Sequence, residues 1–210
     1  MVFKGDEREN RLYIVIAIII IVVIILTVFF NTNKLGKAYI EDYVLGNTWI
    51  ENIAEREEGS QLFGLENWAS FTYENNDDSY PAYVTITSIK LLFMMNEDDL
   101  LEKTEDTIKK ASGQGILIDE DTRIISNREI KNGHKTTYII YNGNDTSKEP
   151  FEKIKIIGET WNCGNSGTSI ICIGFAQITD NANNNSDDNT IYWEKIIDSQ
   201  YGLLYNVKCH

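Results

Sequence analysis

The sequence predicts an α+β domain, a mostly antiparallel sheet of hairpins with helices packed on it, behind an N-terminal transmembrane helix. Three stretches carry that expectation. Residues 12–30, LYIVIAIIIIVVIILTVFF, are nineteen residues without charge, Pro or Gly, and at about 1.5 Å per residue they nearly span a hydrocarbon core. Residues 153–179 read as a long hairpin: two β-branched, aromatic-rich runs flank Gly164-Asn165-Ser166-Gly167, and glycine and asparagine tolerate the positive φ of tight turns. Residues 96–115 read as a capped amphipathic helix.

In chain order, residues 1–11 are charged and aperiodic, a cytoplasmic tail. No small-residue cleavage site follows residue 30, so 12–30 reads as a retained anchor rather than a removed signal peptide. Lys4, Arg8 and Arg11 precede it, against Lys34 and Lys37 after it, which favours an inside N-terminus and a cell-membrane protein with its bulk outside the cytoplasm. Residues 31–45 mix polar residues with Tyr39, Ile40, Tyr43 and Val44 at helical spacing and read as a juxtamembrane stalk or short helix, leaving 46–210 as the extracytoplasmic domain. Residues 49–54 and 68–73 have strand character and form an outer pair around the polar EREEGSQ segment. Residues 83–90 alternate strictly, as a half-buried strand does.

Asn96 is placed to cap the helix, with Glu97, Asp98 and Asp99 at its positive end. Leu100, Leu101, Thr104, Ile108 and Ala111 make its apolar face, Glu105 and Lys109 pair at i,i+4, and Gly113 or Gly115 stops it. Asn132-Gly133 then marks a second hairpin, with His134 at its turn. Both faces of the 153–179 hairpin are largely apolar, so it lies centrally, covered on both sides. Residues 180–189 are a polar loop, 190–200 an amphipathic helix presenting Tyr192, Trp193, Ile196 and Ile197, and 203–207 a last strand.

The net charge of −13 belongs to the part after the anchor and argues against nucleic acid as a partner. Nucleophilic catalysis needs a base beside the nucleophile, and the chain offers only His134 and His210. Asp119 and Asp121 flank Glu120 in an exposed turn, and 180–189 lacks the ligand spacing of a calcium loop. No catalytic, cofactor-binding or metal-binding residues are therefore expected, and no cofactor. With Gly164 opposite Gly167, Cys163 faces Thr168 and Cys172 faces Glu159, so the two sulfurs lie about 13 Å apart, beyond disulfide reach. That gap also argues against both ligating one metal with Cys209 and His210. Cys172 reads as a buried free thiol, and the expected disulfide is Cys163 to Cys209. Asn144 and Asn184 open N-x-[ST] sequons, candidate glycosylation sites on an outside domain.

The order of elements, ending in Trp193-Glu194-Lys195-Ile196-Ile197-Asp198-Ser199, resembles the PsbP-like α/β/α sandwich over roughly residues 46–199. The runs 132–136, 157–163 and 205–210 are similar to those of uncharacterised, membrane-anchored archaeal proteins. The resemblance implies a non-catalytic accessory or assembly role. The expected function is a single-pass, membrane-anchored extracytoplasmic domain that binds a protein partner at the outer membrane surface. The alternative is a small-ligand receptor or enzyme whose site is scattered in sequence.

Overall fold

The computed structural model describes residues 35–61, 65–76, 80–110, 115–147, 149–178 and 191–210. Strands β1 (Trp49–Glu51), β2 (Glu57–Gln61), β3 (Glu66–Asn75), β4 (Ala82–Lys90), β5 (Ile116–Glu129), β6 (Lys135–Asp145), β7 (Glu152–Cys163) and β8 (Thr168–Gln177) form one antiparallel sheet in the order β1-β3-β4-β8-β7-β6-β5, with β2 also on β3. Among the described residues the α-helices are α1 (Asp42–Leu45), α2 (Glu97–Lys110) and α3 (Ile191–Ile197). After β4 the chain crosses by way of α2 to the far edge, and β5 to β8 return as a meander that closes on β4.

The hairpin β7–β8 is the centre, as its two apolar faces require. Its register matches the turn-based expectation: Cys163 pairs with Thr168 and Glu159 with Cys172. Gly167 has φ 62° and donates its N–H to the Cys163 carbonyl at 2.9 Å. Each strand also carries one glycine under a helix. A Cβ on Gly158 would lie 2.5 Å from Thr104 Cγ2 of α2, and one on Gly174 would lie 2.8 Å from Ile196 Cγ2 of α3. The hydrogen side chains let both helices seat directly on the backbone.

One face is covered by α2. Leu100, Thr104 and Ile108 are buried there, and Asn96 caps the helix by accepting from the Asp99 N–H at 2.8 Å. The opposite face is covered mainly by irregular chain: residues 35–41, the four-residue α1, the seven-residue α3, and 203–209. Ala38, Ile40, Val44, Leu45, Leu203, Leu204, Val207 and Cys209 are all buried in that core.

This corrects the α/β/α sandwich. The fold is mostly antiparallel sheet with few helices, because the second covering layer consists largely of irregular chain with only two short helices. No helix among the described residues is long and apolar enough to cross a membrane; the expected helix at 12–30 lies outside the described residues. The compact unit runs from Leu35 to His210, so 35–45 packs into it instead of standing off as a stalk, and the short helix read there is α1. The EREEGSQ segment contains β2, whose exposed polar residues gave no alternation to read. Residues 203–207, expected as a strand, contain a 3-10 turn at Leu204–Asn206, where Asn206 donates its side-chain N–H to the Gly202 carbonyl at 2.9 Å.

Candidate metal centre

In a meander, alternate turns fall at the same end of the sheet. The β5–β6 turn and the β7–β8 turn are therefore neighbours, and the β6–β7 pairing of Thr137 with Thr160, carried three residues on, sets His134 across from Cys163. The β5–β6 turn is tight, with Gly133 at φ 80° and the Ile130 N–H donating to the His134 carbonyl at 3.0 Å. Lys208 exchanges two backbone hydrogen bonds with Tyr39, each 2.9 Å, which delivers Cys209 and His210 to the same place. Asn132 fixes that approach by donating to the Val207 carbonyl at 3.1 Å.

The result is a cluster of four ligand atoms, all within 4.8 Å of one another: one nitrogen each from His134 and His210 and the sulfurs of Cys163 and Cys209. Both cysteines are buried and free. Cys209 Sγ lies 2.6 Å from Cys163 Sγ, 3.2 Å from His134 Nε2 and 3.4 Å from His210 Nδ1, and Cys163 Sγ is also 3.4 Å from His210 Nδ1. A tetrahedral zinc with Zn–S about 2.3 Å and Zn–N about 2.05 Å needs sulfur–nitrogen separations near 3.5 Å and sulfur–sulfur near 3.8 Å. The sulfur–nitrogen distances already approximate that shape, and the sulfurs must part by about 1 Å.

Without a metal, the surroundings act on the Cys209 thiol in opposite directions. The Trp161 indole N–H is buried without a hydrogen-bond acceptor of normal geometry, yet it faces the Cys209 sulfur closely enough to favour its ionised form. Asn132 turns its amide N–H to the same sulfur at 3.9 Å. Donors of this kind orient ligands from outside a metal site and stabilise their charge. Burial, then the hydrogen bond and charge of Cys163, push the Cys209 thiol up to about 12. Burial and the neighbouring His210 lower His134, keeping its imidazole neutral, the form that ligates.

Behind the cluster, Glu159 is fully buried on β7, on the same sheet face as Trp161 and Cys163. It accepts from Arg128 Nε at 2.7 Å, from Arg128 Nη2, and from Thr136 Oγ1 at 2.5 Å, while Arg128 Nη1 donates to the Ile197 carbonyl at 2.5 Å. A cavity of about 470 Å³ opens alongside, lined in part by Glu97, Arg128, Lys135, Thr136, Thr160 and Trp161.

Of the residues singled out in sequence, Cys163 and Cys209 come together and Cys172 stays apart, buried in mid-strand opposite Glu159 with its thiol pushed well up by burial. In sequence His134 stands apart from the cysteines and the Cys163–Cys172 gap sets His210 aside; the structure places both beside Cys163 and Cys209. The alternating turns of two consecutive hairpins could have found the first. Asn144 lies within β6, half-buried and paired to β5 and β7, and the hydroxyl of its sequon partner Thr146 donates to the Gly115 carbonyl at 2.8 Å. Asn184 lies outside the described residues. Asp119 and Asp121 sit at a register break in β5, exposed, where Asp119 accepts from the Asp121 N–H at 3.2 Å.

No family model, curated protein or solved structure matches the chain. The PsbP-like resemblance has no support from these comparisons.

Proposed function

We propose that this is a non-catalytic accessory domain, attached to a membrane through the apolar run 12–30, whose irregular covering layer is tied down by one zinc-class ion held by His134, Cys163, Cys209 and His210. The observation that carries the metal reading is the convergence of four nitrogen and sulfur ligand atoms within 4.8 Å. A disulfide would explain two of those atoms but not why two imidazole nitrogens point at the same sulfurs. Four protein ligands fill a tetrahedral ion completely and leave no position for substrate, the pattern of structural rather than catalytic zinc.

The second reading is the Cys163–Cys209 disulfide, favoured by the 2.6 Å sulfur separation and by an oxidising compartment if the domain lies outside. One experiment separates the two. The full chain is extracted in detergent from its own membrane without reductant or chelator, its metals are counted by mass spectrometry, and its peptides are mapped under non-reducing conditions. A single zinc per chain, absent after C163S/C209S, supports the metal centre. Metal-free protein with Cys163 joined to Cys209 replaces it with the disulfide.

A further inference from the structure

The metal centre shares its end of the sheet with two other features. One is the loop from Leu91 to Met95 between β4 and α2. Leu91 and Met95 pack on the core formed by Ile89, Leu100 and Ile171, so the base of the loop is fixed. Between them Leu92, Phe93 and Met94 are 47%, 79% and 48% exposed, three consecutive large apolar side chains turned outward. Exposed single apolar residues are ordinary, but three in a row at a strand–helix connection are not. The other feature is the point where the chain enters the domain. Leu35 begins the compact unit, Gly36 packs against Ser166 of the β7–β8 turn, and Ser166 accepts from Lys90 Nζ, the residue before the loop, at 3.0 Å. Asn162, beside Cys163, donates to the Met95 carbonyl at 2.9 Å. Loop, entry point and metal centre are thus joined by direct contacts.

Five peptide units separate Leu35 from Phe30, the last residue of the apolar run, a reach of at most about 18 Å. Resting on the membrane attachment proposed above, we infer that Leu92-Phe93-Met94 is a second, shallow membrane contact: the loop dips into the bilayer surface and fixes the metal-bearing end of the domain against it. The occupant is lipid because the chain's own apolar run brings a bilayer within reach of this end. Glu97, Asp98 and Asp99 follow the loop immediately, so a zwitterionic surface suits it better than an anionic one.

The test uses the full chain reconstituted in phosphatidylcholine vesicles containing a lipid brominated on the upper acyl chain, a quencher of indole fluorescence. F93W places the reporter on the loop. F151W places it on another exposed site, at the opposite end of β7, where Phe151 is 59% exposed. Flotation with the vesicles is checked first, since a chain that does not float contradicts the membrane attachment itself. For a floating chain, side chains seated about 5–10 Å into the interface meet the bromines, and the emission added by F93W should fall roughly twofold while that added by F151W stays unquenched. Replacing half of the lipid by phosphatidylglycerol should weaken the F93W quenching. Equal quenching at the two positions, or a blue-shifted F93W emission that bromine does not touch, overturns the lipid contact; the latter marks protein, a second copy or a partner, as the cover.

Discussion

The two faces of the sheet are covered by different means. On one, α2 satisfies its own backbone, caps itself with Asn96 and needs only an apolar stripe and the bare backbone at Gly158 to seat. On the other, residues 35–41 and 203–209 have no hydrogen-bond ladder of their own beyond the single Tyr39–Lys208 bridge. Their polar groups are met one at a time: the Ala38 N–H by Ser88 Oγ at 2.7 Å, the Ile40 N–H by the Tyr73 hydroxyl at 3.0 Å, Asn206 Oδ1 by Lys131 Nζ at 2.9 Å, and Lys208 Nζ by Glu41 at 2.6 Å. Regular structure holds itself through short-range repetition, whereas an irregular layer depends on cross-links placed by the rest of the fold. The Cys/His cluster brings the β5–β6 turn, the end of β7 and the final segment together at one point.

The largest expected effect comes from removing that point. C163S/C209S, or chelation of the wild type, should lower stability by an amount on the order of 5 kcal/mol, since metal affinity in a closed site is folding free energy. Denaturant titration in detergent, followed by tryptophan fluorescence, reads it. An unchanged midpoint would show that the irregular layer holds without the cluster.

Next is the buried pair behind it. E159Q leaves the Arg128 guanidinium without its countercharge and should cost roughly 3–5 kcal/mol, while R128M/E159L together should recover most of that loss. If the double variant is as unstable as the single one, the pair's link to the Ile197 carbonyl matters more than its charge balance. The two glycines sharpen the comparison further. G158A on the α2 face and G174A on the α3 face should each cost roughly 1–3 kcal/mol in equilibrium unfolding, because a Cβ at either glycine would lie under 3.0 Å from a helix side chain. A large difference between them would place the asymmetry of the faces in the helices instead of the irregular chain.

A smaller effect belongs to the face that α2 covers. Glu105 accepts from Arg123, Lys109 and, at 2.5 Å, the buried Tyr141 hydroxyl, with Arg123 the leading cause that brings its carboxyl down to about 2. Its folded pKa is depressed, so its contribution is complete above about pH 4.5 and is lost as pH falls toward about 2. E105Q should flatten that part of the stability–pH curve and leave the neutral region otherwise parallel. N96A should cost about 1 kcal/mol through the lost cap, seen as a lower unfolding midpoint.

Much of the regular part was legible because its signals are local. The glycine turn fixed the β7–β8 register to the residue, and Asn96 with the 3.6-residue spacing of Leu100, Thr104 and Ile108 marked α2. The irregular face was not legible for the same reason. Nothing near Ala38 or Val207 announces that they cover a sheet, β2 is a polar edge strand without alternation, and 203–207 reads as a strand until Asn206 turns back on Gly202. The candidate site joins 134 and 163, which the order of the meander sets side by side, to 209 and 210, which the Tyr39–Lys208 bridge delivers. Hairpin register set Cys172 apart from Cys163 and left Cys209 as its partner; His134 needed the mutual placement of two hairpins, and His210 the docking of the final segment.

The most direct measurement is amide hydrogen exchange on the full chain in detergent, before and after chelation. With a metal tying the second face, peptides covering 35–41 and 203–210 should lose protection on chelation by at least about tenfold while those of α2, 97–110, keep theirs. Exchange that is unchanged by chelation, or that rises equally on both faces, would contradict it.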